Sequence, residues 1–206
     1  MSVRVKICGI TNVEDARLAV EAGADLIGLN FYPPSPRCIS EHTAQEICAV
    51  LPATVWSVGV FVNAGRERIA TLSERLNLHA VQFHGDETNA DCSGWSQKTI
   101  KAVRIGLEDL PLQGEAYPSD YLLLDTHRPG RYGGTGKTFA WEQVANLSAA
   151  QRQRIILAGG LTAENVAAAV QAVQPWAVDV ASGVESAPGR KDPEKLRAFI
   201  HYAKTA

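Results

Sequence analysis

The sequence predicts an α/β protein folded as a single (β/α)8 TIM barrel over residues 1–206. Eight short apolar runs recur along the chain, each starting roughly 20–33 residues after the last. They are continuous rather than alternating, as buried parallel strands are, and helical segments lie between them. The 206 residues lie near the ~200-residue lower end of this fold, which leaves little room for a second domain.

Each predicted strand is an apolar, often β-branched run that ends near a glycine or a polar residue. The rival architecture is a doubly wound open sheet. It fits less well, because no dinucleotide-binding glycine fingerprint follows the first strand. The predicted strands are residues 3–7, 25–30, 56–62, 79–83, 99–103, 121–125, 154–158 and 176–180.

Helix-start and helix-stop signals separate these strands. Thr11 and Glu14 are spaced as a capping box for the first helix, and Gly23 predicts its end. Thr162 opens a later helix, and Pro193 lies early in the last one. The helical pattern is weakest at residues 86–95 and indistinct after the fifth strand. The predicted helices are residues 13–22, 40–49, 65–76, 86–95, 141–147, 163–173 and 193–203.

Composition excludes several classes of protein. The chain is 46% hydrophobic and 20% charged, with a net charge of −2, which is ordinary for a globular protein. That charge gives no electrostatic case for a nucleic-acid or membrane partner. No apolar run is long enough to span a membrane, and the amino terminus does not resemble a signal peptide. We expect a cytoplasmic monomer.

The four cysteines predict neither a metal site nor a disulfide framework. They stand at positions 8, 38, 48 and 92, without C-x-x-C spacing and without a histidine cluster. We therefore expect reduced thiols and no metal; nothing in the sequence signals a cofactor either.

Chemistry-bearing residues follow the ends of the predicted strands. In a (β/α)8 barrel the loops after the strands form the active face. The residues collected there are Cys8, Asn30 with Arg37, Asn63, His84, Arg104, Asp125, Gly159 with Gly160, and Ser182 with Gly183.

Cys8 and Asp125 are the candidates for acid–base chemistry. Cys8 precedes a predicted helix, whose amino terminus would lower the thiol pKa and favour a thiolate base. A buried, inert cysteine is the alternative. Asp125 ends an apolar strand, where partial burial would raise the pKa of its carboxyl toward that of a general acid. The alternative for Asp125 is a loop cap.

The remaining candidates would bind an anionic substrate. The planar guanidinium of Arg37 suits a carboxylate or phosphate, although it could equally be a solvated surface group. Gly159–Gly160 and Ser182–Gly183 follow the seventh and eighth strands, the usual phosphate site of this fold, or else form tight turns. His84 either hydrogen-bonds substrate or is structural. Residues 134–138 lack the first glycine of a P-loop, so we expect a mobile loop over the site there.

In order and spacing, these blocks resemble the phosphoribosylanthranilate isomerase family over the whole chain. The blocks are residues 6–11, 28–31 with 35–37, 59–62, 81–85, 124–125, 132–136, 158–161 and 178–185. The resemblance implies a cofactor-free Amadori rearrangement of N-(5-phosphoribosyl)anthranilate to 1-(2-carboxyphenylamino)-1-deoxyribulose 5-phosphate, in tryptophan biosynthesis.

The resemblance also implies a role for each matching residue. Asp125 would protonate the furanose ring oxygen, and Cys8 would remove the C2′ proton. Arg37 would pair with the anthranilate carboxylate, and Gly160 with Ser182 and Gly183 would hold the phosphate.

Three other functions remain open from the residues alone. Another phosphate-binding barrel enzyme, such as a sugar-phosphate epimerase or the related histidine-pathway isomerase, would share the glycine loops. The latter would have an aspartate in place of Cys8 and a half-barrel duplication. A non-catalytic phosphosugar-binding protein would not need both Cys8 and Asp125. A redox-sensing thiol protein would need a partner for Cys8, such as Cys38.

Overall fold

The structure, a computed structural model, describes residues 2–104, 117–125, 141, 144 and 147–206. Eight parallel strands close into a barrel in sequence order, with β1 pairing with both β2 and β8. This confirms the predicted fold class. The barrel strands are β1 (Arg4–Cys8), β2 (Leu26–Asn30), β3 (Trp56–Phe61), β4 (Ala80–Phe83), β5 (Lys98–Arg104), β6 (Tyr121–Asp125), β7 (Ile155–Ala158) and β8 (Ala177–Val180).

Helices on the outside of the barrel connect most of the strands. Five of the six helices described have eight or more residues, and the four-residue sixth is capped by the Ser148 side chain. Within the described residues they are α1 (Val13–Ala22), α2 (Glu41–Val50), α3 (Arg66–Arg75), α4 (Ala149–Arg152), α5 (Val166–Val173) and α6 (Pro193–Thr205).

The start of α1 differs from the predicted capping box. Asn12, not Thr11, caps the helix: its Oδ1 accepts from the Asp15 N–H at 2.7 Å. The Thr11 hydroxyl instead donates to the Gly189 carbonyl at 2.5 Å, so it ties this loop to the chain after β8. Gly23 ends the helix as predicted, with a left-handed φ of 99°.

The helix predicted at residues 86–95 is wrong. Turns occupy this segment, because Thr88, Asp91 and Trp95 are held by local bonds: the Asp91 carboxylate accepts from the Thr88 N–H at 2.8 Å, and the Trp95 indole donates to the Asp91 carbonyl at 2.7 Å. Beneath it, Lys101 and Glu87 form a buried ion pair at 2.7 Å.

One helix starts later than predicted, and two predicted segments cannot be compared with the structure. Helix α5 begins three residues later than predicted, because the Asn165 side chain accepts from the Thr162 N–H at 2.9 Å and holds a turn before it. The loop expected at 134–138 and most of the helix expected at 141–147 lie outside the described residues.

The hydrophobic core has two layers. The larger lies between the barrel and its helices; the smaller fills the barrel and includes Leu26, Val58 and Leu123. At the amino-terminal end of the strands, Trp176 stacks on Tyr121 with ring centroids 4.0 Å apart and lies 5.7 Å from Trp56. These aromatic rings close that end of the barrel.

A short hairpin follows β8 and was not predicted. A 3-10 turn at Ser182–Val184 leads into β9 (Glu185–Ala187), which pairs antiparallel with β10 (Arg190–Lys191). This hairpin carries two charged residues into the carboxyl-terminal end of the barrel, as shown below. No helix among the described residues is both long and apolar enough to cross a membrane.

Candidate active site

Cys8 and Asp125 both lie at the carboxyl-terminal mouth of the barrel. Cys8 is the last residue of β1, and Asp125 is the last residue of β6, three strands away around the barrel. Leu123 belongs to the interior core, and side chains alternate along a strand, so Asp125 is on the inward face of β6. The two predicted catalytic residues therefore lie at the same end of the barrel on well-separated strands.

The Cys8 thiol lies against the backbone of β2. Gly28 is its register partner, and a methyl group added to Gly28 would lie 2.9 Å from the Cys8 sulfur and 3.1 Å from Lys6 Nζ. Lys6 itself is fully buried and pairs with Asp179 of β8 at 2.8 Å. Glycine at position 28 thus makes the space in which the thiol and the ammonium group meet.

The expected lowering of the Cys8 pKa was wrong. Burial raises the pKa of this thiol, although the positive charges of Lys6 and Lys191 oppose that effect. Helix α1 begins at Val13, and the Asn12 side chain, not the thiol, caps its first turn. Positive charge near the thiol comes from lysine side chains instead.

Arg37 forms a bidentate ion pair with Glu185, which was not predicted from the sequence. Its Nε and Nη2 donate to the two carboxylate oxygens of Glu185 at 2.8 and 2.6 Å. The aliphatic part of the side chain packs over Gly9, and a Cβ at that position would collide with it. Gly9 also has a left-handed φ of 71°, which glycine adopts without strain. The Arg37 guanidinium is thereby fixed beside the loop that follows Cys8.

Lys191 links three loops at the mouth. Its fully buried ammonium donates to Glu185 Oε1 at 3.0 Å, to the Cys8 carbonyl at 2.7 Å and to the Ala181 carbonyl at 3.2 Å. Burial opposes the ionised form of Glu185, but hydrogen bonding to Arg37 and the charge of Lys191 outweigh it, so the pKa of this carboxyl is lowered. Glu185 and Lys191 therefore form a charged bridge between the hairpin and the site.

The loop carrying Arg37 is ordered by its own polar residues. Asn30 ends β2, and its Oδ1 accepts from the Tyr32 N–H at 2.8 Å. Its amide also donates to the Ser35 hydroxyl, which accepts from the Arg37 N–H at 3.2 Å. This proline-rich segment consequently presents Arg37 in one defined orientation.

His84 follows β4 directly and contacts both β3 and β4. Its N–H donates to the Phe61 carbonyl at 2.8 Å, and its Nδ1 lies 2.8 Å from Nε2 of the buried Gln82. Asn63, the neighbouring candidate, has a structural role: its Oδ1 accepts from the Asp86 N–H, and its own N–H donates to Glu87. His84 keeps its place at the mouth, whereas Asn63 joins two loops.

The two predicted phosphate loops lie side by side. Gly159 and Gly160 adopt left-handed φ angles of 86° and 64°. The Gly160 carbonyl accepts from the Asn165 amide at 3.0 Å, and a methyl group on Gly160 would meet no atom within 4 Å. Gly183 packs so closely on the Leu161 carbonyl that no side chain would fit there. The loops after β7 and β8 thus form one surface beside Cys8 and Lys191.

The other cysteines and the acidic residues form no competing centre. Cys8, Cys38, Cys48 and Cys92 are all free thiols. Within the part of the chain that the structure describes, no three histidine, cysteine, aspartate or glutamate side chains are grouped to hold a metal ion. The side chain of Arg104 lies outside the described residues. The roles of the site residues stay predictions from sequence.

Comparison with known proteins identifies one family. The family described as N-(5'phosphoribosyl)anthranilate (PRA) isomerase matches residues 5–202. The N-(5'-phosphoribosyl)anthranilate isomerase of Pseudomonas fluorescens is 49% identical over 206 residues, covering 98% of this chain and 99% of its own. That of Trichlorobacter lovleyi is 49% identical, covering 99% of each.

Solved structures give the same result. The crystal structure of phosphoribosyl anthranilate isomerase from Thermotoga maritima superposes with a TM-score of 0.85 at 43% identity, covering 99% of this chain and all of that one. Another crystal structure is of phosphoribosyl anthranilate isomerase in complex with reduced 1-(o-carboxyphenylamino)-1-deoxyribulose 5-phosphate. It has a TM-score of 0.81 at 40% identity, with coverage of 99% and 100%.

Proposed function

Because the chain belongs to the N-(5′-phosphoribosyl)anthranilate isomerase family, we propose that Asp125 and Cys8 divide the acid and base steps of that isomerisation between them. The chain is an aldose–ketose isomerase of tryptophan biosynthesis. It converts the aminoaldose N-(5-phosphoribosyl)anthranilate into the aminoketose 1-(2-carboxyphenylamino)-1-deoxyribulose 5-phosphate.

The reaction needs a proton donor and a proton acceptor on different parts of the sugar. Asp125 gives its proton to the furanose ring oxygen, the C1′–O4′ bond breaks, and the anthranilate nitrogen supplies the electron pair for a Schiff base. Cys8 then takes the C2′ proton, and the enolamine formed gains a proton at C1′ as its 2′-hydroxyl becomes the ketone. Two strands, β7 and β8, separate Cys8 on β1 from Asp125 on β6, and this spacing suits two proton transfers at different parts of the sugar.

The observation that carries the proposal is the charge arrangement at the thiol. Cys8 lies among Lys6, Lys191 and Arg37, in a mouth whose other side holds Asp125. Burial raises the pKa of the Cys8 thiol, and the charges of Lys6 and Lys191 act against that rise, toward the ionised form that acts as a base. A protein that only bound a phosphosugar would have no use for this arrangement.

Arg37 is proposed to bind the anthranilate carboxylate. A guanidinium has five N–H donors, and Glu185 accepts from two of them. The pairing fixes the plane of the guanidinium, so its remaining donors can meet a planar carboxylate without loss of side-chain freedom.

The phosphate and the sugar would be held by the loops beside the base. Gly159 and Gly160 with Ser182 and Gly183 are proposed to bind the phosphate through their backbone N–H groups, since no described atom lies within 4 Å of where a Cβ on Gly160 would be. His84 is proposed to hydrogen-bond the substrate, with its ring orientation set by Gln82. We further propose that residues 1–206 form one domain that acts as a cytoplasmic monomer.

The test is a fluorescence assay of phosphoribosylanthranilate turnover, run with EDTA and without added cofactor. Asp125→Asn and Cys8→Ser are each expected to lower kcat on the order of 10²–10⁴-fold, because each removes one proton-transfer group. Cys38→Ser is the matched control, since Cys38 is a partly buried free thiol in a neighbouring loop, and it should keep its kcat. Full activity in both site variants would refute the assignment.

A further inference from the structure

An ion pair inside the barrel lies next to the proposed base. Lys6 is completely buried, and Asp179 is 8% exposed. The two residues are opposite each other in the paired strands β1 and β8, and Lys6 Nζ lies 2.8 Å from Asp179 Oδ1. A buried ion pair is seldom more stabilising than apolar residues of the same size, so its presence asks for another explanation.

The ammonium group lies beside the sulfur of Cys8. Both atoms are about 3 Å from the point where a side chain on Gly28 would begin, at 3.1 Å for Nζ and 2.9 Å for Sγ. They are therefore within the ~4–6 Å over which an opposite charge favours ionisation. No bulky side chain separates them, because β2 has glycine at this position.

The Lys6 ammonium has more N–H donors than its bond to Asp179 uses. An ammonium group carries three N–H donors, and leaving them unpaired in a buried place is costly. Its ammonium donates to Asp179 Oδ1 at 2.8 Å, and the Cys8 sulfur also lies within its hydrogen-bonding reach. An ionised Cys8 would supply a second, negatively charged acceptor at the right place.

The charges around the thiol divide into two sets. Glu185 pairs with both Arg37 and Lys191, which reduces the field that those two cations exert on the sulfur. Within the described residues, Asp179 is the one carboxylate paired with Lys6. Burial disfavours the charge on Lys6, but the attraction of Asp179 and of Cys8 outweighs it, and the pKa of Lys6 is raised. Lys6 therefore stays an ammonium ion as the thiol gains and loses its proton.

We propose that Lys6 is a positioning residue for the general base: its buried ammonium, held in place by Asp179, stabilises the Cys8 thiolate that takes the C2′ proton. Asp179 has a definite part in this arrangement. After Cys8 is protonated, the ammonium loses one of its two counter-charges, and Asp179 keeps it paired. This inference rests on the proposed role of Cys8 as the base.

The experiment measures the pH at which Cys8 becomes reactive toward iodoacetamide, with the alkylated peptide identified by mass spectrometry so that Cys38, Cys48 and Cys92 do not contribute. In Lys6→Met the midpoint should rise by about one pH unit or more, the size expected for loss of a nearby opposite charge. In Asp179→Asn it should fall, because Asp179 raises the pKa of the thiol. Opposite shifts are a result that general loosening of the fold does not produce.

Two further variants keep the test decisive. Lys101→Met removes a buried lysine from another ion pair, with Glu87, that does not adjoin Cys8, and it should leave the midpoint unchanged. If Lys6→Met fails to fold, the double variant Lys6→Met/Asp179→Leu replaces the whole pair by apolar residues, a change that buried ion pairs often tolerate. Its midpoint should also lie above that of the unaltered protein.

An unchanged midpoint in Lys6→Met or in the double variant would overturn the inference, as would shifts in the same direction for Lys6→Met and Asp179→Asn. Alkylation reports on the thiol whether or not the protein turns over substrate. A failed role for Cys8 would instead show as retained kcat in Cys8→Ser, so the two failures are distinguishable.

Discussion

Gly28→Ala should damage catalysis through a single added methyl group. Carbon atoms pack best at about 3.5–4.0 Å. The methyl would lie 2.9 Å from Cys8 Sγ, 3.0 Å from Cys8 Cα and 3.1 Å from Lys6 Nζ. One of these three atoms belongs to the backbone of β1, so rotation of the Cys8 side chain cannot remove the overlap. The thiol, the ammonium group or the strand itself must move.

The size of the effect follows from that overlap. Adding a methyl to a packed interior costs about 1–3 kcal/mol of stability. A displacement of about 1 Å at a reacting group can lower the rate ~10²-fold, which corresponds to roughly 2.7 kcal/mol in the activation barrier. We therefore expect a folded protein with a moderately reduced Tm and a kcat lowered about a hundredfold, measured by calorimetry and by the fluorescence assay.

Gly59→Ala is the matched control. A methyl there would also be crowded, at 2.7 Å from Leu78 Cδ1 and 2.8 Å from Phe61 Cε2, but these atoms are in the outer core and not at the mouth. It should lower Tm without a comparable loss of kcat. If Gly28→Ala and Gly59→Ala have the same kcat, the sulfur is not confined as described, and the reasoning fails.

Two further predictions concern Arg37 and the buried thiols. Glu185→Gln should raise KM by about 10–100-fold with a smaller change in kcat, because Arg37 loses charge-assisted hydrogen bonds worth roughly 1.5–3 kcal/mol. Arg37→Ala should also act mainly on KM. An unchanged KM in both variants would show that Arg37 does not bind the substrate carboxylate. Burial raises the pKa of Cys8, Cys48 and Cys92 in the folded protein. The folded state holds these thiol protons more tightly than an unfolded chain, whose thiols have pKa values of ~8.5. The stability that this adds to the folded state is complete below that pH and is lost as the pH rises through the higher folded-state pKa values. Tm measured by circular dichroism should therefore fall as the pH rises above about 8.5, and a flat curve would contradict this.

The barrel could be predicted because its strands are buried on both faces. Runs such as 121–125 and 154–158 have no polar alternation, and this pattern survives without knowledge of any neighbour. The mouth could be predicted for the same reason: Cys8 and Asp125 come directly after such runs. Strand ends in a parallel barrel share one face, so position along the chain was enough to bring them to the same end.

Contacts between distant segments could not be predicted in this way. Lys6 interrupts an apolar run, which suggests a solvent-exposed charge, and only the closure of β1 on β8 shows that Asp179 accompanies it. Glu185 and Lys191 lie on a hairpin too short to give a strand pattern. The 86–95 segment failed for a different reason: Asp91 and Thr88 offer the backbone local hydrogen bonds that compete with a helix.

The closure of β1 on β8 has a consequence for how the protein becomes active. The Lys6–Asp179 contact joins residues 173 positions apart, and the Arg37–Glu185 contact joins residues 148 apart. In both, the cation comes from the first part of the chain and the anion from the last. A growing polypeptide therefore holds Cys8 and Arg37 early, but neither has its counter-charges until β8 and the hairpin have docked. The active site is therefore assembled only when the barrel closes, and we expect a chain that has not yet closed its barrel to be inactive.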